Sequence, residues 1–308
     1  MNEPFADLLA DRLTLQECQA WLTEQLKDGG EKNAGLAARR LLLFATRLDE
    51  SGLVLHGDDV VSAETLDWLR QACGRRLAGE PLQYITGQVV FRRLLLKIAA
   101  GVFIPRPETE MLVQMVIDEG PKRVLDVCCG SGAIALSLLA ELPDCHVVAT
   151  DISEAAVRLT LENAREAAAA PVPVSDRVPE DGSLMQRLEV LLDDLAETLL
   201  AEPDMAGRFD AIVSNPPYIP SNLIAMLPDE VGRYEPLLAL DGGADGLAVF
   251  ERLLGQALVL LKPAGLLAVE LHESSLQKAR LLAVEAGFKD VQVHLDLTIR
   301  PRFLTARR

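Results

Sequence analysis

Apolar residues recur at helical spacing through the first quarter of the chain, whereas from about Lys122 short apolar runs alternate with helical stretches. Thr14 and Glu17 form a capping box ahead of Leu15, Cys18, Trp21, Leu22 and Leu26, which share one helical face until Gly29-Gly30 ends it. A second helix is predicted from Asn33 to about Asp49, carrying Leu36, Arg40, Leu43 and Arg47 and stopping before Gly52. Ser62 caps a third with Leu66, Leu69 and Cys73. Residues 1–80 therefore read as a small helical bundle without nucleophile, metal site or phosphate loop, suited to recognition rather than chemistry. Between 81 and 107, Gly87, Gly101, Pro105 and Pro107 punctuate two β-type runs, Val89-Val90-Phe91 and Leu94 to Ile98, which predict a β-hairpin linker.

Residues 108–308 read as an α/β domain. Met111 to Ile117 is helical, Arg123 to Val127 and His146 to Thr150 are strands, and helices are expected over 132–142 and 153–168. The Ala- and Pro-rich stretch 167–182 reads as a surface loop. Residues 183–201 fit one amphipathic helix, yet the sheet needs a strand between Asp151 and Phe209, and Leu188 to Leu192 is taken as that strand. Phe209 to Val213, Leu266 to Leu271, and an antiparallel pair Val291–Leu295 with Arg302–Thr305 complete the sheet. Helices 247–261, closed by Lys262-Pro263-Ala264-Gly265, and 274–286 lie between them. Such alternation predicts a largely parallel sheet covered on both faces, with ligands at the carboxyl ends of its strands.

Length and charge narrow the functions. At roughly 150 residues per domain, 308 residues suggest about two. With 49% hydrophobic and 25% charged residues, the composition is globular, and no apolar run approaches the ~18 residues of a membrane span. The first residues, with Glu3, Asp7 and Asp11 against Arg12, lack the basic start of a signal peptide, and five cysteines without a Cys-x-x-Cys pair suggest neither disulfides nor a zinc knuckle. A cytoplasmic location is expected. The net charge of −16 argues against a nucleic-acid backbone as main partner and in favour of simple solubility, with attraction of a basic protein as the second reading.

Candidate chemistry concentrates at three strand ends. The run ending in Ser214 breaks off at Asn215-Pro216-Pro217-Tyr218, where the prolines cannot donate to a ladder and hold the backbone extended. An Asn oxygen and a free proline carbonyl beside the Tyr218 ring suit a planar group bearing NH2, either an amide or an adenine-type amine. After the first strand, Cys128-Cys129-Gly130-Ser131-Gly132 is a glycine-containing turn where a ligand can approach the backbone and the following helix N-terminus. The full Gly-x-Gly-x-x-Gly fingerprint is absent, and Asp151 ends the next strand where a carboxylate can accept both ribose hydroxyls. Adenosine without a pyrophosphate is favoured over NAD. Arg106, between Pro105 and Pro107, is presented on an extended loop with no local helix to absorb its charge.

Asp126-x-Cys-Cys-Gly-Ser-Gly, Asp151 and Asn215-Pro216-Pro217-Tyr218 together resemble class I (Rossmann-like) S-adenosylmethionine-dependent methyltransferases acting on a planar nitrogen. With Pro81-Leu82-Gln83-Tyr84-Ile85-Thr86-Gly87, Ile104 to Glu110, and Tyr234-Glu235-Pro236 through Asp245-Gly246-Leu247, the chain resembles the PrmC/HemK family of peptide chain release factor N5-glutamine methyltransferases. The resemblance covers nearly everything from Pro81 onward. It implies that Asp126 and Cys128 to Gly132 form the cofactor loop, Asp151 holds the ribose, and Asp194-Leu195 contact the adenine. Asn215 to Tyr218 would clamp the substrate amide, with Asn215 also at the cofactor, and no metal is involved. The implied substrate is the glutamine of a release factor's Gly-Gly-Gln loop, and the chain is expected to act as a monomer with no nucleic-acid substrate.

Four departures from the family pattern stand out. Cys128 replaces a usual glycine, Leu195 offers an aliphatic contact where some members have an aromatic, an insertion precedes Asp193, and Glu270 to Ser275 differs from a usual Glu-Ile-Gly stretch. Competing readings are a ribosomal-protein glutamine methyltransferase, a nucleic-acid adenine methyltransferase, and an adenosyl-binding module without catalysis. The Arg106-Pro107-Glu108-Thr109-Glu110 loop, the acidic charge and the intact Asn215 to Tyr218 motif respectively weigh against them.

Overall fold

The computed structural model describes residues 12–169 and 183–308, in two compact units, Met1–Gly87 and Gln88–Arg308.

The first unit is helical. α1 (Leu15–Asp28) begins with the expected capping box: Thr14 Oγ1 accepts from the Glu17 N–H at 3.3 Å, and Glu17 Oε2 accepts from the Thr14 N–H at 2.8 Å. α2 (Ala34–Thr46) buries Ala37, Ala38, Leu41 and Leu42, while Leu36 is exposed. α3 (Glu50–Leu55) was not expected across Gly52, but Asp49 caps it through the Gly52 N–H at 2.6 Å. α4 (Ala63–Leu77) is capped by Ser62 as predicted, and the short α5 (Leu82–Thr86) ends at Gly87, whose φ of 69° requires glycine-like freedom.

In the second unit, β1 (Gln88–Phe91) and β2 (Leu94–Lys97) form the antiparallel hairpin. Phe91, Leu94 and Leu96 pack into one core with Leu112 and Val116 of α6 (Thr109–Glu119), so the hairpin belongs to this unit rather than merely connecting two. There follow β3 (Arg123–Val127), α7 (Ala133–Glu141), β4 (His146–Asp151), α8 (Glu154–Ala169), α9 (Ser183–Gln186), β5 (Leu188–Leu192), α10 (Glu197–Ala201) and β6 (Phe209–Ser214). α11 (Asp229–Gly232), α12 (Ala248–Leu260), β7 (Leu261–Glu270), α13 (Leu276–Ala286), β8 (Lys289–Leu295) and β9 (Pro301–Arg307) complete the unit.

The strand reading of 188–192 holds, and the continuous helix over 183–201 does not form. Arg187 is buried and donates to the carbonyls of Leu139, Leu142 and Cys145 at 2.9–3.1 Å, capping the end of α7 and pinning the start of β5 beside β4. The loop expected over 167–182 begins later, since α8 runs to Ala169, and its remainder lies outside the described residues. Lys262 to Gly265 do not precede a strand but bulge out of β7: its pairing with β6 jumps from Phe209↔Leu261 to Ala211↔Leu266.

Among the described residues the main sheet has the order β5-β4-β3-β6-β7-β9-β8, parallel from β5 to β7 and antiparallel through β9 and β8. Successive strand residues enter opposite cores: Val124 packs with α6 and α7, Leu125 with α12, as expected of strands buried on both faces. β3 leads outward to β4 and β5, and β6 leads the other way to β7, so the order reverses between β3 and β6. The loops after these two strands flank the crevice where such sheets bind ligands.

Candidate active site

The loop after β3 is braced from behind and open in front. Thr160 Oγ1 donates to the Gly130 carbonyl at 3.0 Å and Asn163 Nδ2 to the Ser131 carbonyl at 2.9 Å, both from α8. Gly132 has φ 82°, and a Cβ there would lie 2.9 Å from Thr160, so this glycine serves packing. Gly130 has φ 57°, and a Cβ there would meet nothing, because its face is the open cleft. The two glycines thus have different tasks.

Cys128 carries φ 62° without being glycine. A left-handed L-residue costs about 1–2 kcal/mol, which gives a physical reason for glycine to be usual there. Burial, with the Asp151 and Asp126 charges, pushes its thiol well above the ordinary range, so it stays a neutral S–H.

Asp151 ends β4 with both oxygens used: Oδ1 accepts from the Ser153 N–H and Oδ2 from the Gly130 N–H, each at 2.9 Å. Burial raises its carboxyl, and these N–H groups oppose the shift. Each oxygen keeps a lone pair for a further donor. Capping of α8 falls to Ser153, whose hydroxyl accepts from the Ala156 N–H at 3.4 Å.

Asp126 is not on the cleft. It is fully buried under the loop, where Oδ2 accepts from the Ala135 N–H at 3.0 Å. Burial pushes its carboxyl up to about 8, the Ala135 N–H opposing and the Asp151 charge adding. Its task is to anchor α7.

Across the crevice, β6 ends at Ser214, whose hydroxyl donates to the Val127 carbonyl at 2.7 Å and ties the two strand ends together. Asn215 Nδ2 donates to Thr109 Oγ1 at 3.3 Å, and Thr109 Oγ1 donates to Glu270 Oε2 at 2.7 Å. Tyr218 reaches the other oxygen of Glu270, O–H to Oε1, at 3.4 Å. Glu270 is fully buried, and Arg302 stands 3.8 Å from Oε1 while bonding Asp296 at 2.9 Å. Burial pushes the Glu270 carboxyl up to about 7, opposed first by the Thr109 hydroxyl and then by Arg302. Burial next to that carboxylate also drives the Tyr218 phenol up, keeping it protonated.

The Tyr218 backbone is held by a distant motif. The Ile219 N–H donates to the Leu240 carbonyl and the Gly242 N–H to the Ile219 carbonyl, both at 2.9 Å. A Cβ on Gly246 would lie 2.3 Å from the Tyr218 carbonyl oxygen, and one on Gly242 would lie 2.7 Å from the Tyr218 Cα. The Asp241 to Gly246 turn is glycine-rich because backbone meets backbone there.

Between the two loops lies a cleft open to solvent. Its walls bring Cys128, Cys129, Gly130, Ser131 and Asp151 together with Thr109, Asn215 and Pro217. They do not include Gly132, Pro216 or Tyr218, nor Asp194 and Leu195. Asp194 instead pairs with Arg252 at 2.8 Å, and Leu195 is buried among residues of α10 and α12. Arg106 is likewise engaged: it pairs with buried Glu235, which also accepts from the Ile104 N–H at 3.2 Å, and it lies over the Phe103 ring. The Ile104–Glu110 and Tyr234–Pro236 segments are thereby tied together.

Thr109 and Glu270 were not assigned roles from the sequence. The signal for Glu270 was present: an acid ending the apolar run Leu266 to Val269, at the carboxyl edge where a buried charge needs partners. Among the described residues no cluster of His, Cys, Asp or Glu could hold a metal ion.

Residues 17–87 match the PrmC N-terminal domain model and residues 98–224 the methyltransferase small domain model. A release factor glutamine methyltransferase of Moorella thermoacetica is 37% identical over 96% of this chain and 99% of its own. Those of Caulobacter vibrioides (34%, 94% of this chain and 96% of its own) and Rhodospirillum rubrum (37%, 94% and 82%) are similar over nearly the same length. The chain belongs to the release factor glutamine methyltransferase family. Its methyl donor is S-adenosylmethionine, and the cleft fits it: the open face of Gly130 admits close approach, and Asp151 has lone pairs to spare for a diol.

Proposed function

We propose that this chain transfers a methyl group from S-adenosylmethionine to the side-chain amide nitrogen of the glutamine in the Gly-Gly-Gln loop of peptide chain release factors. The observation that carries the reading is Asn215, set on the cleft wall opposite Gly130 and Asp151 with its Nδ2 turned to Thr109. Its Oδ1 is left as the acceptor for a substrate NH2.

An amide nitrogen is a poor nucleophile, since its lone pair is delocalised, so the protein's task is positioning. Correct orientation can contribute up to roughly 7–11 kcal/mol. Asn215 Oδ1 and the Pro216 carbonyl accept the two amide hydrogens, and Tyr218 packs against the amide plane. Gly130, Ser131 and Asp151 hold the donor, with Asp151 taking the ribose hydroxyls. When bound, S-adenosylmethionine supplies an electrophilic sulfonium methyl. No base is needed beforehand, because the alkylated nitrogen is acidic and releases its proton to solvent.

The helical unit, 1–80 as bounded from sequence, recognises the body of the release factor. The chain acts as a monomer, and its location is the cytoplasm, the latter in keeping with five free thiols.

The test is incubation with radiolabelled S-adenosylmethionine and, separately, a release factor, a ribosomal protein and DNA. Label should enter the release factor alone and disappear when its Gly-Gly-Gln glutamine is replaced. Label in the ribosomal protein instead would overturn the substrate. A chain lacking the helical unit that methylates intact release factor at the full rate would refute the recognition role.

A further inference from the structure

Glu270 ends β7 at the level of Asn215, because the neighbouring pair in register is Ser214↔Val269. The groups facing it come from every element around it: Thr109 from α6, Tyr218 from the loop after β6, and Arg302 from β9, itself held by Asp296. Glu108 adds a like charge from the loop before α6. Arg302 and the Tyr218 hydroxyl both address Oε1, which leaves Oε2 to Thr109.

A hydroxyl has one proton, and an ionised carboxylate can only accept. Thr109 therefore spends its proton on Glu270 and offers Asn215 nothing but lone pairs. An Asn215 amide turned the other way would set its oxygen against a hydroxyl oxygen with no proton left. Two acceptors face to face forfeit the hydrogen bond that the observed orientation makes. The chain of donors thus dictates which end of the Asn215 amide enters the cleft.

Resting on the glutamine-amide reading above, we propose that Glu270 is a positioning residue that sets the polarity of the substrate clamp, acting through Thr109 to turn Asn215 Oδ1 toward the cleft. Glu270 touches neither substrate nor cofactor. Its effect is relayed by one proton and two hydrogen bonds.

A donor in place of Oε2 inverts the relay. In Glu270→Gln the side-chain oxygen is drawn to Arg302 and the Tyr218 hydroxyl, both donors, which leaves the NH2 facing Thr109. Thr109 then accepts from residue 270 and donates to Asn215, whose amide turns over and presents its own NH2 to the substrate NH2. Protonation of Glu270 does the same. Its carboxyl is pushed up to about 7, and the ionised form is the working one, so activity is full above this value and is lost as pH falls through it.

The experiment measures kcat and KM with a release factor as substrate, and S-adenosylmethionine binding by equilibrium dialysis, for wild type, E270Q, T109V, T109S and E270Q/T109V. E270Q should lower kcat by roughly a hundredfold, the scale of a misaligned reacting group, with cofactor affinity unchanged. The wild-type kcat should fall about tenfold per pH unit below the Glu270 pKa, and E270Q should lack this acid limb. T109S, which keeps the hydroxyl, should retain far more activity than T109V. In the T109V background E270Q should add less than about threefold, because the relay is already cut.

Wild type transferring to a release factor while E270Q matches its kcat would overturn the proposal and leave the function standing. Independent, multiplying losses in E270Q/T109V would also overturn it, as would an acid limb that persists in E270Q. A wild-type chain that labels no release factor overturns the reading beneath it. Should E270Q not fold, the T109S and T109V comparison with the wild-type pH profile still decides: equal activity of the two variants sinks the relay.

Discussion

Asn215 Nδ2 lies 3.3 Å from Thr109 Oγ1, so the amide that faces the cleft is fastened from behind by a residue more than a hundred positions earlier in the chain. Fastening one end leaves the other for the substrate. Asn215→Ala should therefore abolish methyl transfer, by at least about a hundredfold in kcat, while leaving S-adenosylmethionine affinity within about threefold. Single-turnover transfer and equilibrium binding measured on the same preparation separate the two, and turnover near the wild-type rate would refute the clamp.

Asp151 combines a structural task with a binding one. In Asp151→Asn, one of the two N–H groups from Gly130 and Ser153 meets an NH2 instead of an oxygen, and the ribose loses a charged acceptor. Loss of a charged hydrogen bond is worth about 1.5–3 kcal/mol. Calorimetric titration should show S-adenosylmethionine binding weakened roughly ten- to a hundredfold, and an unchanged dissociation constant would remove Asp151 from the ribose site.

Two glycines of the same unit should respond with opposite sign. Gly246, at φ 77° and with a Cβ position 2.3 Å from the Tyr218 carbonyl, cannot take a side chain without moving the substrate loop. Gly246→Ala should cost about 2–3 kcal/mol and reduce activity. Gly255 sits inside α12 with nothing near its Cβ position, and Gly255→Ala should stabilise by up to about 1 kcal/mol. Urea unfolding of both variants checks the pair.

Cys128 holds a left-handed backbone at φ 62°. Cys128→Gly relieves that strain but adds freedom to the unfolded chain, so stability should change by less than about 1 kcal/mol, with cofactor affinity equal or better. Cys128→Val, β-branched at positive φ, should lower both. If Cys128→Val matched the wild type in melting temperature and binding, the strain assigned to this position would be absent in solution.

Much of this was legible in the sequence because the relevant physics is local. Capping boxes, apolar runs and the proline break after Ser214 act within a few residues, so α1, β3, β4, β6 and the loops at the sheet's switch point could be placed from pattern. The strand at Leu188 to Leu192 needed a topological argument, and its physical cause, Arg187 capping the end of α7, is a contact across more than forty residues.

The candidate site divides along the same line. The sequence by itself determined the family resemblance, the glycine turn, the acid after β4 and the Asn-Pro-Pro-Tyr loop, because each is a contiguous motif with a local backbone requirement. Only the tertiary structure decided that Asp126 anchors a helix, that Asp194 pairs with Arg252, that Arg106 is held by Glu235, and that Glu270 and Thr109 stand behind Asn215. The direction in which an amide points depends on where a proton is spent two residues away in space, and no spacing along the chain carries that information.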